Sequence, residues 1–171
     1  MSRKGKEDLA QSDVWLSRSQ LRVWLAFMGV QQRLGYEMNR QLQAESGLSL
    51  ADYDVLNALS GVPDERMQVG ALAAQIGWER SRLSHHARRM QDRGLVQCDL
   101  AASDRRATEI RLTTAGRRAI VEAAPGHVDL VRHLFFGGLP KDLLAPLSHA
   151  LEAIYDHVVE HGTLPAPTYE P

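Results

Sequence analysis

Apolar residues recur at steps of three and four over residues 17–45, at Leu21, Trp24, Leu25, Met28, Leu34, Met38 and Leu42. That spacing predicts one long amphipathic helix, and Gly47 follows it as a residue suited to the left-handed turn that ends helices. Ser49 is placed to cap a second helix with Asp52 three residues on, and Tyr53, Val55, Leu56 and Leu59 form its apolar side. Gly61-Val-Pro63 stops that helix. An alanine-rich third helix covers residues 69–76, with Gly77 making the turn out of it. A fourth is expected over residues 80–93, closed by Gly94. Glu79 is a weak cap for it, so Trp78 and Leu83, at the N′ and N4 positions of a hydrophobic staple, would set its approach instead. Residues 95–100 and 109–112 alternate or cluster as two strands joined by a loop at 101–107. Thr113 opens a helix toward residue 136, and Pro125-Gly126 is where it can break. After Gly137-Gly-Leu-Pro140, a last helix over residues 141–161 carries Leu144, Leu147, Leu151, Ile154, Tyr155 and Val158 on one side.

The class expected is mainly α with a small β-ribbon. Residues 1–16 read as a flexible N-terminal arm, and residues 162–171 as a tail too proline-rich for helix. The long helices at both ends present more apolar surface than a small domain can cover, which points to a second copy of the chain as partner. No apolar run approaches the ~18 residues of a membrane span. The N-terminus lacks the apolar core of a signal peptide, and lone Cys98 has no partner for an internal disulfide. A cytoplasmic protein is the expectation.

Charge changes the picture. The whole chain is close to neutral at −1, yet residues 66–118 hold 11 basic and 5 acidic side chains. The preceding 65 residues hold 7 and 9, and residues 119–171 hold 2 and 7. A basic block between acidic flanks attracts phosphate locally. It coincides with Trp78-Glu-Arg-Ser-Arg-Leu-Ser-His-His-Ala-Arg-Arg-Met90, a short turn opening an arginine-rich helix, and with Asp104-Arg105-Arg106 at the ribbon tip. A helix for the major groove beside a loop for the minor groove is the pattern of a duplex-DNA reader.

Several segments, taken in order, resemble the MarR family of winged-helix transcriptional regulators. They are Tyr53-Asp-Val-Leu56, Val69-Gly-Ala-Leu-Ala-Ala-Gln-Ile-Gly77, Ser81-Arg-Leu-Ser84, Arg93-Gly-Leu-Val96, Asp104-Arg-Arg106 and Leu112-Thr-Thr-Ala-Gly116. The likeness covers about residues 21–151. It implies a winged helix-turn-helix domain at 49–112, flanked by a dimerisation helix at 17–48 and further dimerisation helices at 113–161. It also implies a homodimer that binds a pseudo-palindromic operator, usually represses, and is often released by a small aromatic or phenolic ligand or an oxidant.

Within that frame Arg80, Ser81, Arg82, Ser84, His85 and Arg88 are the expected groove residues on the reading helix. Arginine can fork onto guanine O6 and N7. Arg89, on another face, suits a phosphate contact or an internal salt bridge. At the wing the resemblance gives Arg106 the minor-groove role, with Asp104 holding its guanidinium and Arg105 reaching phosphate or sharing that role. Trp24, Met28, Tyr53 and His127 are weak candidates for a ligand pocket, since such residues at helical spacing more often form plain core. Cys98 is expected to be a buried, inert thiol. His157 and His161 share a helix face, but with no third ligand evident neither a metal site nor a cofactor is expected. No phosphate-binding glycine loop or nucleophile elbow marks an enzyme. The competing reading is a winged helix that binds protein and has lost specific DNA recognition.

Overall fold

The computed structural model describes residues 15–100 and 108–168. Its elements run α1 (Arg18–Ser46), α2 (Leu50–Ser60), β1 (Arg66–Gln68), α3 (Val69–Gln75), α4 (Arg80–Asp92), β2 (Val96–Leu100), β3 (Thr108–Leu112), α5 (Thr114–Leu134) and α6 (Leu144–His161). Short 3-10 turns at Phe136–Gly138 and Lys141–Leu143 join the last two helices. The chain divides into two compact units, residues 1–37 and 38–171. In the first, the described part of α1 leaves Leu21, Trp24, Leu25 and Phe27 exposed, with the Trp24 and Phe27 rings 5.9 Å apart.

In the second unit, local chemistry sets each boundary. The Ser49 hydroxyl accepts from the Asp52 amide at 3.0 Å, and the Asp52 carboxylate accepts from the Ser49 amide at 2.9 Å, completing the expected capping box of α2. Asn39 Oδ1 accepts the next amide, Leu50, at 3.0 Å. No side chain caps α4 at Glu79, while Trp78 and Leu83 are both buried, as a hydrophobic staple requires. Gly94 takes φ 72°, the left-handed conformation that turns the chain from α4 into β2.

The β structure is a three-stranded antiparallel sheet in the order β1-β3-β2. The expected ribbon is its β2–β3 part, and β1 is an addition. A three-residue strand carries too little alternation to be seen in sequence. Ile110 is the pivot, opposite Met67 on one side and Cys98 on the other, and it is fully buried. Around it lie Leu42, Leu48, Val55, Leu56, Leu59, Leu72, Leu83, Met90 and Val96. Each such burial favours folding by roughly 1.5–3 kcal/mol.

α5 corrects another expectation, since it runs unbroken through Pro125. The neighbouring Gly126 packs tightly. A Cβ there would come within 2.3 Å of Glu45 Oε2 and 2.8 Å of Gln41 Nε2, so α5 passes close to the end of α1. The last helix also starts later than expected, at Leu144, after a 3-10 turn.

Candidate nucleic-acid interface

The sequence of α4 sorts its side chains into two faces. Leu83, His86, Ala87 and Met90 point into the core. Ser81, His85 and Arg88, spaced four and three apart, form the centre of the exposed face. Arg80 and Ser84 flank it on one side, and Arg82 and Arg89 on the other. Ser84 turns its hydroxyl back to the Arg80 carbonyl at 2.9 Å. The Arg82 guanidinium lies 3.9 Å from the centre of the Trp78 ring. That cation–π contact restricts the rotamers of a side chain that is otherwise exposed. Arg89 forms no salt bridge with a carboxylate among the described residues. Its guanidinium donates to His86 Nδ1 at 2.9 Å.

Sequence reasoning passed over the network beneath this face. Asp52 is 4% exposed and lies 2.9 Å from His86 Nε2, a close polar approach though not aligned as a hydrogen bond. Its other oxygen accepts from Arg93 Nη1 at 2.7 Å, and Arg93 also donates to the Gly47 carbonyl at 2.9 Å. His86 packs edge-on against Trp78, with centroids 5.4 Å apart. Burial alone would raise the Asp52 pKa, but His86, the Ser49 amide and hydroxyl and Arg93 outweigh it. They hold the carboxyl well below the usual carboxylate range. One side chain on α2 thus locks the middle and the end of α4. The available signal was the Asp52 of the capping box, which pointed only to its own helix.

The basic block also separates. Arg66 pairs with Asp64 (3.4 Å) and Glu109 (3.9 Å), Arg93 with Asp52, Arg111 with Asp99 (3.6 Å), Arg117 with Glu65, and Arg118 with Glu122 (3.8 Å). Among the described residues, Arg80, Arg82, Arg88 and Arg89 of α4 form no ion pair with a carboxylate. Asp104, Arg105 and Arg106 lie outside the described residues.

A model of the MarR family matches residues 46–107. AbsC, a MarR family transcriptional regulator from Streptomyces coelicolor, is 33% identical over 84% of this chain and 97% of its own, with a TM-score of 0.78. The chain belongs to the MarR family of transcriptional regulators. Sco3205, another MarR regulator from Streptomyces coelicolor, was solved in complex with DNA. It is 30% identical over 89% of this chain and 99% of its own, with a TM-score of 0.82. CouR from Rhodococcus jostii RHA1, solved bound to p-coumaroyl-CoA, shares the fold. It is 23% identical over 77% of this chain and 90% of its own, with a TM-score of 0.67.

The remaining candidates of this MarR chain fall in separate places. Tyr53 and His127 stack at 4.3 Å where α2 meets α5, and His127 Nδ1 is buried without a partner. Burial lowers the His127 pKa and, with Asp54 assisting, raises that of Tyr53. Trp24 and Met28 belong to the first unit, Trp24 exposed and Met28 half-buried. Cys98 is half-buried in β2, and burial followed by the charge of Asp99 pushes its thiol pKa up. At the end of α6 the structure brings a third donor to the histidine pair: His157, Glu160 and His161 offer ligand atoms within 4.8 Å of one another, all exposed. No described helix is long and apolar enough to cross a membrane.

Proposed function

We propose that the protein is a homodimeric, sequence-specific DNA-binding regulator that acts as a repressor on a pseudo-palindromic operator. The observation that carries this is the arginine-rich exposed face of α4, whose arginines form no ion pair with a carboxylate among the described residues, in a block where the other described arginines are ion-paired. Ser81, His85 and Arg88 face the major groove, with Arg80, Ser84 and Arg82 at its edges and Arg89 toward phosphate. Arg106, oriented by Asp104, enters the minor groove, and Arg105 meets the backbone. The DNA complex of Sco3205 supports this reading.

A small aromatic or phenolic ligand would act at the Tyr53–His127 junction, where the His127 Nδ1 would accept a hydrogen bond from it. Related folds solved with 2,4-dichlorophenol and with p-coumaroyl-CoA favour that ligand class. The deciding experiment is selection of bound duplexes from a random pool by the purified protein near physiological salt. A two-fold symmetric motif, bound with steep loss of affinity as salt rises, is expected. Absence of enrichment would leave the winged-helix module that binds protein.

A further inference from the structure

A cavity of about 1030 Å³ opens beside the helix-turn-helix, within the unit of residues 38–171. Drug-sized ligands occupy pockets of roughly 300–1,000 Å³. Asp54 and Asn57 of α2 form one wall. Gln75 closes the end of α3, Tyr155 and Val158 come from α6, and Leu164 from the chain beyond it.

Its chemistry is one-sided. Most of the lining is apolar, and none of the described lining residues is lysine, arginine or histidine. Asp54 supplies a carboxyl, half-buried. A carboxylate or phosphate ligand would find no counter-charge here, whereas a donor-bearing cation would meet the Asp54 carboxyl. Burial raises the pKa of the Asp54 carboxyl, and the charges of Arg82 and His86 oppose that rise, so this acid also feels the reading helix.

We propose that this cavity binds an amphipathic amine, its apolar body against Val158 and Leu164 and its protonated nitrogen donating to the Asp54 carboxylate. A small cation is the occupant favoured over a second copy of the chain for two reasons. The Asp54 carboxyl sits in the wall, and the chain's own Leu164 already contributes to the lining. Neutralising Asp54 also removes an attraction on Arg82, so occupancy alters DNA affinity. That consequence alone rests on the DNA-binding reading above.

Calorimetric titration of the full chain with 2-phenylethylamine, 2-phenylethanol and 3-phenylpropionate, without DNA, tests the site. Saturable binding of the amine is expected, about tenfold tighter than the alcohol, with no binding of the acid. Asp54→Asn is expected to abolish the preference for the amine over the alcohol. Val158→Trp, at a position 60% exposed and therefore tolerant of bulk, is expected to abolish binding with the dimer mass unchanged. Equal binding of amine and alcohol, no saturable binding, or an unaltered Asp54→Asn variant would overturn the proposal. So would conversion of Val158→Trp to a monomer, which would make the cavity a seat for the second copy. A gel shift at saturating amine reads the regulatory part separately. A severalfold change in affinity is expected, and none would refute the coupling.

Discussion

Asp52 does three things with two oxygens: it closes the capping box of α2, meets His86 and anchors Arg93. Asp52→Asn leaves the partners without their charge, and breaking such a buried arrangement costs about 3 kcal/mol. The pH dependence follows from the lowered carboxyl. Its stabilisation is complete above the ordinary value of 3.8 and drains away as pH falls below it. Urea melts at about pH 6 and about pH 3 should therefore show a large gap between wild type and Asp52→Asn at the higher pH and a smaller one at the lower. On the exposed side, Arg82 is pre-set by Trp78, so Arg82→Ala is expected to lose roughly 1–3 kcal/mol of discrimination between selected and scrambled duplexes. Arg106→Ala should instead weaken binding to all duplexes and lower the salt slope by about one. Gel shifts across a salt series separate the two. Neither the Trp78 contact nor the Asp52–His86–Arg93 network was legible in the sequence, because Asp52 and Arg93 are 41 residues apart and only the packing of α2 on α4 joins them.

Elements were largely legible where a cap and a three-four spacing coincide, as in α2, and less so where packing overrules a local preference. Proline normally interrupts a helix interior, yet α5 continues through Pro125 because its flanking turns are held against α1 and α2. The motif glycine Gly116 has a similar tertiary cause. A Cβ there would lie 2.0 Å from the Leu95 carbonyl oxygen, so α5 can start beneath β2 only with hydrogen at that position. Gly116→Ala is expected to cost about 1–3 kcal/mol through forced displacement of the backbone. Gly70→Ala, inside α3 with nothing within 4 Å of the new methyl, should stabilise by up to about 1 kcal/mol. Thermal melts of the two variants should move in opposite directions from wild type.

At the scale of the whole molecule, α6 is 18 residues long and has no fully buried side chain, although Leu151 and Ile154 lie on it, 41% and 59% exposed. Isolated helices of this length are marginal without a packed apolar face, and the proposed homodimer would supply what one chain lacks. Leu151→Glu combined with Ile154→Glu is expected to shift the light-scattering mass from twice 19.0 kDa toward the single-chain value. Operator binding should fall with it, since two half-sites one helical turn apart need two linked reading helices.

Periodicity, caps and glycine turns determined the order of helices, the α4 face and the family, because those signals are local and repeat along the chain. So did the basic block, as a count. Which arginines stay available was decided only in three dimensions, where carboxylates from α2, β3 and the turn before β1 neutralise some and leave those on α4. The same holds for the third donor beside His157 and His161 and for the cavity over Asp54. Both depend on distances between side chains, and these distances are set by how elements pack.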